Sequence, residues 1–76
     1  MDKIAVVGSG RVGEAATLFL AQQNLAKEVI LLDVKGDYAA GTALDIAETA
    51  PIFRFDTRII GSGDMSLLRD SEIVIV

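Results

Sequence analysis

Two features of the sequence combine residue types and spacings that suit chemistry. The first is Gly8-Ser9-Gly10-Arg11-Val12-Gly13, set between the apolar run Ile4-Ala5-Val6-Val7 and a segment with helical apolar spacing. Glycines so placed between a strand and a helix suit a pyrophosphate. Gly8 makes the tight turn, Gly10 lets the phosphates approach the backbone, and Gly13 lets the helix pack close to the sheet. The amides of Arg11 and Val12 would face the phosphates at the helix N-terminus. The Arg11 side chain either lends charge or is solvated. The second feature is Asp33, twenty residues past Gly13, at the end of the run Val29-Ile30-Leu31-Leu32. A carboxylate there accepts hydrogen bonds from ribose hydroxyls and repels a 2′-phosphate. Together they read as a seat for a dinucleotide, NAD in preference to NADP, although Lys35 could meet a phosphate.

Each feature has a plainer alternative. A glycine-rich turn needs no ligand, and an aspartate where a strand meets a loop is common. Asp45 and Glu48, at i and i+3, form either a carboxylate pair, a solvated helix face or part of a subunit contact. Arg54 and Arg58 flank Asp56 and read as loop solubility. Phe19, Phe53 and Phe55 read as core or cover. Ile59-Ile60-Gly61 lines an adenine pocket or is plain sheet core.

The elements that must position these residues follow from the apolar pattern. Residues 3–7 predict a first strand. From Arg11 to Gln23 the positions Val12, Ala15, Ala16, Phe19 and Leu20 form one helical stripe, with Asn24 as a left-handed stop. A second strand runs from Glu28 to Asp33. Asp37 is placed to cap a helix from about Tyr38 to Thr49, with Ala40, Ala43, Leu44 and Ala47 on one stripe and Pro51 ending it. Residues 52–56 read as a connector, Thr57 to Ile60 as a third strand closed by Gly61-Ser62-Gly63, and 64–69 as one or two helical turns. Glu72 to Val76 is a fourth strand. The second Gly-Ser-Gly echoes the first and is best explained by turn chemistry.

This alternation implies a parallel sheet with right-handed crossovers. In the order 3-2-1-4 both long helices lie on one face. Only the 64–69 segment is then left to cover the other face of strands one and two. Because strands one, two and four are apolar on both faces, the pattern predicts the first part of a doubly wound domain whose further elements are absent.

Composition narrows the function classes. The chain has 76 residues, 51% of them apolar, and a net charge of −4 without charge blocks. No basic stripe serves nucleic acid. There are no cysteines and no histidines, which removes thiolate metal sites, the usual nucleophile pairs and the commonest general base. No apolar run approaches the roughly 18 residues of a membrane span, and the first residues do not read as a signal peptide. A cytoplasmic protein is the expectation.

At this point the residues resemble a known family. Residues 3–13, followed by Val29-Ile30-Leu31-Leu32-Asp33-Val34, resemble the lactate/malate dehydrogenases. Gly41-Thr42-Ala43-Leu44-Asp45-Ile46 with Ala50-Pro51 is similar to the segment found in malate dehydrogenases that are lactate-dehydrogenase-like in sequence. Gly61-Ser62-Gly63-Asp64 and Ser71-Glu72-Ile73-Val74-Ile75-Val76 follow in the family's order. The resemblance implies the N-terminal part of a Rossmann domain, 1–76, with the rest of that domain and the catalytic domain absent. It implies NAD as cofactor, a small 2-hydroxy or 2-oxo acid as substrate of the full-length protein, and a homo-oligomer formed through the 38–50 helix. Gly8, Ser9, Gly10, Arg11, Val12 and Gly13 become the pyrophosphate loop and Asp33 the ribose ligand. The family's Thr-Ala-Gly, substrate arginines, catalytic histidine and its aspartate lie beyond Val76. The chain alone is therefore expected to be inactive and to bind NAD weakly or undetectably. Alternatives are a lactate dehydrogenase of the same family, a nucleotide-sensing regulatory domain of the potassium-transport type, and a stand-alone assembly module.

Overall fold

A computed structural model describes residues 2–8 and 10–76, apart from the side chain of Phe53. The elements are β1 (Lys3–Val7), α1 (Arg11–Gln22), β2 (Glu28–Leu32), α2 (Gly36–Ala47), α3 (Ala50–Phe53), β3 (Arg58–Ser62), a 3-10 turn (Met65–Leu68) and β4 (Ile73–Ile75). The strands form one parallel sheet in the order β3-β2-β1-β4, as the alternation predicts. Lys3 pairs with Glu28, Ile4 with Ile73 and Val29 with Ile59. Among the described residues no helix is long and apolar enough to cross a membrane.

Strand periodicity divides the core. Ile4, Val6, Val29 and Leu31 share one face and form a cluster with Ala26 and Ala39, against which Ala16, Leu20 and Ile59 pack. This is the face of α1 and α2. Ala5, Ile30 and Leu32 point the other way, yet they are only 0%, 2% and 0% exposed. The connection from β3 to β4 joins the two edges of the sheet, and a right-handed crossover carries it over this second face. Leu67 and Leu68 on that connection are partly buried. These two residues belong to the 64–69 segment, the one stretch that the sequence leaves for this face. On the edge strand β4, Ile73, Val74 and Ile75 are all exposed.

Both long helices turn a different face inward from the one the stripes predict. In α1 the buried residues are Thr17 and Ala21, with Ala16 and Leu20 packed beside them. Val12 and Phe19 are 85% and 59% exposed, and Ala15 is exposed too. Phe19 is thus neither core nor cover, whereas Phe55 is core, packed with Ala21 and Ile46; the assignment of Phe53 lies outside the described residues. In α2 the buried residues are Ala39, Thr42, Ala43 and Ile46, while Ala40 and Leu44 face solvent. The physical cause is close backbone approach. A Cβ on Gly61 would lie 2.0 Å from the Ala39 carbonyl oxygen, so the first turns of α2 rest directly on β3 and only small residues fit there. That approach, more than turn chemistry, explains Gly61, which lies inside β3.

Three local expectations also change. Asp37 sits in the first turn of α2 and does not cap it; the N-cap position is Lys35, and no side chain bonds there. An acid in the first turn is still favourable against the helix dipole. Pro51 lies in the first turn of the short α3, which runs on into the expected connector, and there its missing N–H costs nothing. β3 runs two residues further than expected, to Ser62. Asn24 does take the left-handed conformation, with φ 51°. Its Oδ1 accepts from the Asp56 amide at 2.9 Å, tying the end of α1 to the start of β3.

Candidate functional site

The site forms where β1 gives way to α1. The Gly8 amide still donates to the Leu32 carbonyl at 2.7 Å, so β1 stays in the ladder up to the turn. Gly8 then takes φ +102°, a conformation that side-chain-bearing residues rarely adopt. Ser9, which the sequence assigns to the same loop, lies outside the described residues. Gly13 is required for a different reason. A Cβ there would lie 1.7 Å from the Gly8 carbonyl oxygen, so the first turn of α1 sits on the strand end it has just left. Thr17 Oγ1 donates to the Gly13 carbonyl at 2.8 Å, which satisfies a buried hydroxyl directly below.

Gly10 is the informative glycine. Its backbone is extended (φ −68°, ψ −172°), which any residue adopts, and a Cβ there would meet nothing within 4 Å. Neither conformation nor packing asks for glycine at this position. It is the N-cap of α1 and offers no side chain to cap the first-turn amides. Those amides, with the positive end of the helix dipole, form a place for negative charge. Arg11 and Val12 begin this turn, both exposed. With Gly8, Gly10, Gly13 and the end of β4 at Ile75 they line a hollow of about 310 Å³. This is the point in the sheet where the strand order reverses between β1 and β4, the position at which open α/β sheets take ligands.

Asp33 follows the end of β2, one strand away. Its amide donates to the Ser62 carbonyl at 3.1 Å, and its Oδ1 accepts from the Lys35 amide at 2.9 Å. Asp33, Lys35, Tyr38 and Gly10 line a second hollow of about 240 Å³. Gly10 therefore belongs to both hollows and joins the glycine turn to the carboxylate, as the spacing from Gly13 to Asp33 suggests. Tyr38, half in solvent, was not among the residues the sequence singles out for this site. Its only signal was an aromatic in the first turn of the helix that follows Asp33.

The remaining candidates stay apart from this place. Asp45 and Glu48 are exposed, as are Arg54, Asp56 and Arg58. Ile59 packs into the sheet core and Gly61 lies under α2; neither lines the hollows at Gly10. A larger hollow of about 470 Å³, between Asn24–Lys27 and Asp56–Thr57, lies at the opposite end of the strands. Among the described residues no group of acids could hold a metal ion. The carboxyl of Asp64 is held below its ordinary value by hydrogen bonds from the Ser66 hydroxyl and amide; this acid caps the 3-10 turn.

Comparison with known proteins agrees with this geometry. A family model described as the NAD-binding domain of lactate/malate dehydrogenase matches residues 2–76. A malate dehydrogenase of Thioalkalivibrio sulfidiphilus is 50% identical over the whole chain, which covers 25% of that protein. The structure of Plasmodium falciparum malate dehydrogenase in complex with NADH superposes with a TM-score of 0.92 at 30% identity, over 100% of this chain and 25% of that one. A Cryptosporidium parvum lactate dehydrogenase, complexed with lactic acid and nicotinamide adenine dinucleotide, gives 0.90 at 34% identity over 96% of this chain and 23% of that one. The chain thus spans about a quarter of the length of the relatives it matches.

Proposed function

The chain belongs to the lactate/malate dehydrogenase family, within its NAD-binding domain, and on that premise we propose that it is the N-terminal part of an NAD-dependent malate dehydrogenase. The observation that carries the site is Gly10: a glycine that the fold itself does not need, at an uncapped helix start, beside a carboxylate. A pyrophosphate approaching the backbone there is what requires it. In this reading Gly8, Ser9, Gly10, Arg11, Val12 and Gly13 seat the pyrophosphate, and Asp33 accepts the adenosine ribose hydroxyls. When bound, NAD supplies the nicotinamide that exchanges a hydride with the hydroxyl-bearing carbon of malate. This chain's residues bind and orient the adenosine half and exclude a 2′-phosphate. With no histidine in the sequence, the chain supplies no proton-transfer partner of the family's kind, so residues 1–76 alone are inactive.

The test is the Asp33→Ala variant, titrated with NADH and NADPH and followed by amide NMR. For the unsubstituted chain, weak binding with shifts confined to residues 8–13 and 33–38 is expected. Loss of charge-assisted hydrogen bonds, worth about 1.5–3 kcal/mol, should weaken NADH at least tenfold while leaving NADPH nearly unchanged. An unaltered preference removes Asp33 from the ribose role. Reading the gene beyond Val76 tests the larger assignment, which requires a nearby Thr-Ala-Gly and a later histidine.

Lactate dehydrogenase is the second reading, favoured by the near-equal superposition on a lactate enzyme; the identity to malate enzymes and the 41–51 segment support malate. Family membership weighs against the potassium-transport sensor. Tyr38 and Leu44, exposed on α2, support a homo-oligomer through residues 38–50, testable by ultracentrifugation.

A further inference from the structure

Asp33 stands on a backbone contact that the dinucleotide fingerprint does not include. Beyond its hydrogen bonds to Ser62 and Lys35, two glycines bring the end of β3 against the turn from β2 to α2. A Cβ on Gly36 would lie 2.9 Å from the Gly63 nitrogen and 3.2 Å from its Cα. A Cβ on Gly63 would lie 3.2 Å from the Asp33 carbonyl oxygen and 3.2 Å from the Gly36 Cα. Every one of these neighbours is backbone, so none yields as the far end of a side chain would. Neither glycine is among the positive-φ positions; what the site demands of them is space. Separating the two segments would pull on the Asp33 amide, which is held by Ser62, and on Lys35, whose amide holds the carboxylate.

We propose that Gly36 and Gly63 are positioning residues for Asp33, a clasp that sets the turn so that its carboxylate rests on the Lys35 amide beside Gly10. The proposal rests on the ribose role of Asp33 for its functional meaning, but its structural part can be measured without ligand. In the unsubstituted chain the Lys35 amide proton should titrate with the Asp33 carboxyl, and the Asp33 amide should exchange as slowly as that of Leu32. In Gly63→Ala, whose contacts need only a small adjustment, the pH-dependent shift of Lys35 should fall by more than half while far-UV circular dichroism stays native. Gly36→Ala should show the same loss more strongly. In NADH and NADPH titrations, Gly63→Ala should reduce the preference for NADH at least fivefold, and adding it to Asp33→Ala should change nothing further.

An unchanged Lys35 titration in folded Gly63→Ala, or rapid exchange of the Asp33 amide in the unsubstituted chain, overturns the clasp. A loss of preference that persists in the Asp33→Ala background overturns its action through Asp33. If Asp33→Ala alone leaves the preference intact, the ribose reading fails while the Lys35 result still decides the clasp.

Discussion

Replacing Gly10 with alanine separates a glycine kept for the fold from one kept for a ligand. The backbone at Gly10 is extended and a methyl group would meet no atom within 4 Å. In the folded chain the substitution therefore adds neither strain nor clash. Two small effects oppose each other. Alanine narrows the unfolded ensemble, stabilising by about 0.4–1 kcal/mol, and it is a poorer N-cap than glycine by a similar several tenths. The expected net change is within about 0.5 kcal/mol of zero. The same methyl group projects where the pyrophosphate would approach, and a tenfold loss of NADH binding corresponds to about 1.4 kcal/mol. Urea denaturation followed by circular dichroism gives the first quantity, with the slope checked for constancy. Amide NMR titration with NADH gives the second. A stability loss above about 1 kcal/mol would mean that Gly10 is a packing requirement after all. Unchanged NADH binding would place the cofactor elsewhere. Either result refutes the assignment.

Gly13→Ala should do the opposite: with its Cβ 1.7 Å from the Gly8 carbonyl oxygen, α1 must retreat, at a cost of about 1–3 kcal/mol or more, read as a lower urea midpoint. Phe19→Ser should change stability by less than about 1 kcal/mol, because the ring is already 59% exposed; a loss near 3 kcal/mol, about the cost of emptying a core site, would return Phe19 to the core. Asp64 is held below its ordinary 3.8 by hydrogen bonds from Ser66, so its contribution is present above that value and is lost as pH falls through the lower folded-state value. Ser66→Ala should move the Asp64 midpoint upward in a carboxyl-carbon NMR titration, and an unmoved midpoint would assign the effect to another donor.

The sheet was legible because β1 and β2 are short runs, apolar on both faces and bounded by glycine or charge, and because helices alternate with them. Right-handed crossovers restrict their order. Asp33 and the glycine turn were legible as a pair, since the spacing places both at strand ends that share Gly10. The helix faces were misjudged because a 3.6-residue period marks several stripes and the most hydrophobic one was chosen. In α1 the inward stripe is Gly13, Ala16, Thr17, Leu20 and Ala21, selected by how near the helix backbone comes to the sheet. That distance is a property of two segments far apart in sequence, and no local pattern records it. Gly36 and Gly63 escaped notice for the same reason: their contact exists only between segments.

The place of β1 in the sheet also governs the order in which the chain can assemble. Its pairing with β2 joins residues such as Lys3 and Glu28, whereas its pairing with β4 joins Ile4 to Ile73. The longer closure costs only roughly 0.9 kcal/mol more in chain entropy, so equilibrium barely registers it. On a ribosome the difference is one of time. β1, α1 and β2 can associate as soon as they emerge, but the other edge of β1 stays open until β4, near residue 75, has been made. The glycine turn lies at the end of that edge, so its hollow gains the β4 wall only when β4 pairs. A nascent chain shorter than about residue 75 would then present an unpaired, apolar strand edge. That is the interval in which a holdase chaperone would find it.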